Sequence, residues 1–137
     1  MRLLATAALF ALLLAAPALA QQPGPIPNLV GTWEAGPFEL HHKSHGFIMN
    51  KGQSAKLVVT AQEGRVFHGS VEWGNKAPGK DTFSGVIDKD NVTFYLAGHE
   101  EGLRLGKLDG PDAFTFYYLV PGGKNPRAGF VEYKRKK

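Results

Sequence analysis

The chain has no cysteine. This excludes disulfide staples, thiolate catalysis, cysteine-ligated zinc and a lipidated first residue. After Ala20 no apolar run is long enough to span a bilayer, so no transmembrane segment is expected. No segment of helical length carries a sustained three-to-four-residue apolar period. G-x-S-x-G and phosphate-loop motifs are missing, and no spacing suggests a Ser-His-Asp arrangement. A broad basic face is missing as well. Four of the 16 Lys and Arg residues form the terminal Lys134-Arg135-Lys136-Lys137, and setting these and Arg2 aside leaves 11 basic residues against 12 acidic ones. The basic pI therefore belongs to the tail. That pattern argues against nucleic acid as a partner and reads as a solvated terminus or as a contact for anionic lipid or polyanion.

The 137 residues divide into three parts. Residues 1–20 read as a secretory signal: Arg2, a leucine- and alanine-rich run from Leu3 to Ala16, then the small-x-small pair Ala18 and Ala20. The expected location is therefore secreted or periplasmic. Residues 21–28 carry Pro23, Pro25 and Pro27 and read as an extended arm that cannot pair inside a sheet. Residues 29–137 are one small domain rich in glycine, a composition that favours turns over helices.

Within that domain, alternation of period two recurs between glycine, asparagine and aspartate breaks. It predicts eight strands: Leu29–His42, Ala55–Gln62, Arg65–Gly74, Asp81–Asp88, Asn91–Ala97, Gly102–Leu108, Ala113–Val120 and Ala128–Arg135. A bulge at Gly36-Pro37 is expected, because Trp33 and Phe38 fall on opposite parities. An even strand number with short antiparallel connections points to an all-β, eight-stranded antiparallel up-and-down barrel, in which closure removes the edges. A two-sheet sandwich is the alternative. Tight connections after the second, fourth and sixth strands alternate with mostly longer ones after the others, so one end is closed and the other ringed by loops.

Parity assigns an inner face: Leu57, Val59 and Ala61; Phe67, Gly69, Val71 and Trp73; Phe83, Gly85 and Ile87; Val92, Phe94 and Leu96; Leu103 and Leu105; Phe114, Phe116, Tyr118 and Val120; and Gly129, Val131, Tyr133 and Arg135. The inner glycines are expected to leave space. Near the loop-ringed end this set places Trp73, Phe83 and Tyr118, with Leu57 and Leu103, as a candidate ligand-binding layer that stacks on and hydrogen-bonds a small molecule. Phe47, in the apolar Phe47-Ile48-Met49 stretch, is either part of a lid over that mouth, part of a plug, or part of a further short strand.

Leu29-Val30-Gly31-Thr32-Trp33 resembles the G-x-W signature of the calycin barrels, the lipocalins, fatty-acid-binding proteins and avidins. The resemblance implies that Trp33 closes the tight end with Arg135 of the last strand lying across it, a cation–π pairing. The stretch Leu57–Val71 also resembles the second and third strands of avidins. The ligand sets do not carry over. No tryptophan follows Trp73 to build a biotin box, the lipocalin disulfide is missing, and Arg104 has outward parity. What the resemblance implies is a lipocalin- or avidin-like fold and a binding role.

His41, His42 and His45, with His99 from another loop, are metal candidates only if a loop folds back on itself, since on a strand they lie too far apart. Asp88-Lys89-Asp90-Asn91 begins like a calcium loop but lacks the required glycine, and reads as a hairpin turn. The resulting expectation is a non-enzymatic barrel, without cofactor or metal, that binds a small hydrophobic or amphipathic molecule at its open end. The alternative is a protein-interaction module, such as a periplasmic protease inhibitor, using the loops around the mouth. An enzyme built on the histidines ranks third. An interior void of roughly 300 Å³ or more separates the container from the packed module.

Overall fold

The computed structural model describes residues 24–50, 55–74 and 78–137. The proposed signal and the start of the arm lie outside these residues. The elements are β1 (Gly31–His42), β2 (Gly46–Asn50), β3 (Ala55–Glu63), β4 (Val66–Trp73), β5 (Gly79–Ile87), β6 (Thr93–Gly98), β7 (Leu103–Gly110), β8 (Ala113–Val120) and β9 (Arg127–Arg135). Strands β3 to β9 follow one another antiparallel, β1 pairs with β3, and β1–β9 pairing closes the cylinder. The barrel is thus eight-stranded, and the sandwich is ruled out. No helix is present among the described residues.

The ninth strand, β2, arises from the bulge. The register of β1 against β9 shifts between Ala35 and Phe38, at Gly36-Pro37. Before the bulge β1 pairs with β3, and after it Phe38–His42 pair with β2. The strand option for Phe47 is therefore the one realised. Its side chain is 81 % exposed on the outer side, against His41, and covers no opening.

The tight end is built around Trp33, which is 0 % exposed. Its indole N–H donates to the Leu29 carbonyl (2.9 Å), and the Arg135 guanidinium lies 4.1 Å from its ring centroid. Arg135 also donates to the Val30 and Asn28 carbonyls (2.8 Å each) and pairs with Asp112 (3.0 Å). Gly31 explains the glycine of the signature: its φ is +135°, and a Cβ there would come within 3.1 Å of Arg135 Nη1. The described part of the arm runs across this base. Leu29 is buried rather than part of a strand, its N–H donates to Gln62 Oε1, and Gln62 Nε2 donates to the Pro27 carbonyl (2.9 Å each).

Above the base, aromatic rings fill the cylinder. Trp33 meets Phe114 at 4.7 Å, Phe114 meets Phe116 at 4.8 Å and Tyr133 at 5.1 Å, and Phe94 meets Phe114 at 5.3 Å. The inner glycines do not leave this space empty. A Cβ at Gly69 would meet the Phe83 ring, one at Gly85 the Phe67 ring, and one at Gly106 the Phe94 ring. Each glycine is a seat for a phenylalanine of the neighbouring strand, at the register pairs Gly69↔Phe83, Phe67↔Gly85 and Phe94↔Gly106.

Three inner-face expectations are corrected. Ala61 is exposed, because a register shift between Val59 and Ala61 turns Gln62 inward instead. Val92 is exposed and precedes β6. On β7 the parity is reversed: Leu103 is 61 % exposed, while Arg104 and Gly106 are buried. The Phe94 ring demands the side-chain-free position at Gly106, and that register commits Arg104 to the interior.

The Asp88–Asn91 segment is the expected hairpin turn, with Asn91 at φ +58°. Asp90 Oδ2 accepts from Thr93 Oγ1 (2.6 Å), and Oδ1 accepts from the N–H groups of Thr93 (2.8 Å) and Val92 (2.9 Å). The Thr93 hydroxyl first, then these amides, hold the Asp90 carboxyl below its ordinary pKa. A carboxyl whose pKa is lowered on folding stabilises the fold at pH values above its unfolded pKa, and this contribution is lost as pH falls through the lowered value. The protection of the Val92 and Thr93 amides relative to free-amide exchange rates should therefore fall as pH drops below the carboxylate range, and Asp90→Asn should remove that pH dependence.

Candidate functional site

The core ends below the loop-ringed end, and a cavity of about 270 Å³ opens there inside the barrel. Its walls come from both halves of the cylinder. β1 supplies Phe38 and Leu40, β4 supplies Val71 and Trp73, β8 supplies Phe116 and Tyr118, and β9 supplies Arg127 and then Gly129 to Val131, with Tyr133 deeper. Arg104 of β7 is part of the same wall. The bulge makes this possible by turning the second half of β1 so that Phe38 and Leu40 face in. Gly129 lets β1 cross close over β9, since a Cβ there would come within 2.6 Å of the Leu40 Cα.

The polar groups converge on Tyr118. Its ring lies between two guanidiniums, with Arg104 at 4.9 Å and Arg127 at 5.1 Å from the centroid. Arg127 Nη2 donates to the Tyr118 hydroxyl (2.8 Å) and pairs with Glu101. Desolvation works against the Arg127 charge, but the bonds to Glu101 and Tyr118 outweigh it and raise its pKa. Arg104 is 5 % exposed and faces Asp81, itself buried, at 3.5 Å. Asp81 Oδ1 accepts from the Glu100 N–H (3.0 Å). Neither Arg104 Nη1 nor Asp81 Oδ2 has a hydrogen-bond partner among the described residues. The pair fits only because residue 98 is glycine, since a Cβ there would lie 2.5 Å from Asp81 Oδ2 and 2.8 Å from Arg104 Nη1. Burial pushes the Tyr133 phenol well above its ordinary pKa, so it stays protonated.

Of the residues singled out by sequence, Trp73 and Tyr118 line the cavity. Leu57 and Phe83 are fully buried in the packed core and do not line it. Leu103 faces solvent and Phe47 lies on the outer side of β2, so neither reaches the cavity. Sequence reasoning turned Phe38 inward through the bulge without assigning it to the site, and it missed Leu40, Arg104 and Arg127. The signal for Arg104 was its spacing from Gly106, once Gly106 is understood as the seat of Phe94.

The histidines do not converge. His41 packs on Phe47 outside the barrel, while His42 and His45 approach with their Nδ1 atoms 3.2 Å apart. His99 is bonded to the Thr82 and Ser84 hydroxyls (2.7 and 3.0 Å). Among the described residues no three His, Asp or Glu side chains gather as metal ligands. Desolvation, then the neighbouring His45 and Arg127, lower the pKa of His42. A larger depression of about 590 Å³ lies open between Glu34, Lys56, Glu72, Trp73 and Lys80. Its charges satisfy one another, with Lys56 and Lys80 at 3.1 and 3.4 Å from Glu72.

No known protein family matches the chain, and no curated protein matches it. Among solved structures it is similar to a redesigned β-barrel, with 13 % identity and a TM-score of 0.54 over 80 % of this chain and 92 % of that one. It is also similar to a de novo designed fluorescence-activating β-barrel, with 14 % identity and a TM-score of 0.49 over 78 % and 93 % of the two chains. The first of these likenesses establishes that the chain has the fold of a closed antiparallel β-barrel.

Proposed function

We propose that the protein is an exported, calycin-like barrel that binds a small hydrophobic or amphipathic molecule in the open-end cavity, without catalysing a reaction. The observation that carries this reading is a largely apolar cavity at the loop-ringed end, partly open to solvent and lying above the packed aromatic core of the described residues, with Arg104, Arg127 and Tyr118 in its wall. That combination of apolar walls and a few convergent polar groups is the usual form of a small-molecule site; at about 270 Å³ the cavity falls just below the roughly 300 Å³ set as the mark of a container, so its lining and not its volume carries the reading. The stacked indole and guanidinium at the base support the calycin-like assignment, and the leucine- and alanine-rich leader supports export.

Native mass spectrometry of the protein purified from the producing cell tests the reading. A co-purified small molecule is expected, and Trp73→Ala should lose it. Trp73 is 36 % exposed, so its removal should cost the barrel little, and circular dichroism should show the same sheet signal. A variant that retains the molecule at full occupancy contradicts the site.

A second reading, a protein-contact module, draws on the outer surface. Phe47 and Met49 of β2 are strongly exposed, and Leu103, Leu119 and Tyr117 form an exposed apolar patch across β7 and β8, with Leu103 and Leu119 directly opposite. The same spectrum distinguishes the two readings, since a partner chain in place of a small molecule favours the second.

A further inference from the structure

We infer that the protein forms a twofold homodimer through the outer face of β7, β8 and β9, with Lys107 of each copy paired to Glu132 of the other. The inference gives the outer apolar patch one occupant and is independent of what the cavity binds.

The surface is a grid of three rows. On β8, Thr115, Tyr117 and Leu119 point away from the packed core, alternating with the buried Phe114, Phe116 and Val120. The register sets Lys107, Leu105 and Leu103 of β7 beside them on one side. On the other side it sets Glu132, Phe130 and Ala128 of β9. Two rows are therefore apolar across all three strands, and Tyr95 of β6 extends one of them beside Leu105. Leu103, Leu119, Tyr117 and Tyr95 are between 45 and 61 % exposed. The third row is charged at both ends, where Lys107 and Glu132 are exposed. The outer faces of β3 to β5 are mainly polar instead, as with Lys56, Thr60, His68, Glu72, Lys80 and Thr82.

Area and charge identify the occupant as a second copy. An aromatic side chain carries about 150–250 Å², so the half-exposed members of the two apolar rows show on the order of 500 Å². That is near the upper end of the roughly 300–600 Å² that a monomer leaves as its largest apolar patch. With the charged row added, the face approaches the roughly 800 Å² per partner of a stable interface. In a twofold dimer such a patch must complement itself. An axis lying along β8 sets Tyr117 and Leu119 against their own copies and lays β7 of one copy on β9 of the other. Leu105 then meets Phe130, and Lys107 meets Glu132, at two symmetric places. One step nearer the sealed end the match repeats with the signs exchanged. There Asp109 of β7 accepts from the Thr115 hydroxyl (2.7 Å), and Lys134 of β9 stands opposite Ala113. An axis across the strands turns the charged row of one copy toward the loops of the other and loses both matches. Within one chain Thr115 separates Lys107 from Glu132 by two strand spacings, roughly 10 Å. A rim of alternating sign suits this partner and not an anionic lipid surface, which draws basic side chains to its contact face.

Sedimentation velocity and native mass spectrometry of the intact protein, from micromolar to millimolar concentration, test the dimer. The unmodified protein should reach twice the monomer mass in a concentration-dependent equilibrium. Lys107→Glu alone and Glu132→Lys alone each set like charges together at both contacts, and each should weaken association by about tenfold or more. An equimolar mixture of the two variants should form a heterodimer of restored affinity, because every contact then joins a lysine to a glutamate. Both positions are exposed, so circular dichroism should show an unchanged sheet signal. Tyr117→Glu, at the centre of the apolar rows, should give a monomer. A monomer throughout the concentration range overturns the inference, and so does a dimer indifferent to Tyr117→Glu and to both charge reversals. Variants that weaken singly but do not recover on mixing overturn the pairing of Lys107 with Glu132. A monomer that adsorbs to phosphatidylcholine vesicles, and stops doing so with Tyr117→Glu, assigns the patch to lipid and overturns the inference as well.

Discussion

Replacing Trp33 with alanine should destabilise the barrel by about 3–5 kcal/mol, the range for removing a fully buried large aromatic side chain. The loss has three parts. The indole fills the base beneath Phe114. Its N–H satisfies the Leu29 carbonyl, which holds the arm across the bottom. Its face receives the Arg135 guanidinium, an interaction on the order of 0.5–2 kcal/mol. A domain of this size has roughly 5–15 kcal/mol in total, so the variant should be marginal at ordinary temperature. Urea denaturation followed by circular dichroism measures it. Arg135→Met removes only the guanidinium, and its smaller effect should be on the order of 1 kcal/mol. An alanine variant that loses less than about 1 kcal/mol would show that the base is not the closure of the fold.

Arg104→Met should be almost as damaging, by about 3–5 kcal/mol, because it leaves Asp81 buried with no opposite charge. The double variant Arg104→Met/Asp81→Leu should recover most of that loss, since a buried ion pair exchanged for apolar groups of similar volume is often neutral. The Glu100 N–H, which Asp81 accepts, would keep the recovery incomplete by about 1 kcal/mol. Additive single effects in a double-mutant cycle would mean that the two groups do not interact. Full recovery with unchanged ligand binding would make the pair a structural filler and not part of the site. The two substitutions thus separate stability from recognition: Trp33 lies far from the cavity in the aromatic column, and Arg104 lies in its wall.

Where a strand has one apolar face, the sequence alone was enough to place it. On β8, Phe114, Phe116 and Val120 are buried, and the β9 set Gly129, Val131, Tyr133 and Arg135 faces inward as parity requires. The bulge was legible because Trp33 and Phe38 both had to face the core. The pairing of Trp33 with Arg135 was legible from the signature, and the register places them directly opposite. Strand β7 was not legible, since leucines at 103 and 105 outweigh an arginine and a glycine in any apolar count. The structure reverses that choice because the Phe94 ring takes the space at Gly106 and a buried aspartate waits for Arg104. Both causes are long-range in the chain. The same applies to Ala61, where a bulge of one residue shifts the face, and to β2, which exists because β1 leaves β3 at Gly36-Pro37. The candidate site was half legible. Trp73 and Tyr118 announce themselves by position near strand ends, whereas Leu40 comes inward only because the bulge shifts the second half of β1 against β9, pairing Phe38 with Val131 and Leu40 with Gly129.

The chain's two tryptophans offer the most direct test of a vessel sealed at one pole and receptive at the other. In a nitrogen-15 correlation spectrum each indole N–H gives its own peak, one from Trp33 at the sealed base and one from Trp73 at the cavity wall. Titration with the small molecule that co-purifies from the producing cell should move the Trp73 peak progressively to saturation while the Trp33 peak, held on the Leu29 carbonyl, stays in place and exchanges slowly with deuterium. A Trp73 peak that does not move, or a Trp33 peak that shifts with ligand or exchanges at the rate of a free indole, contradicts the account.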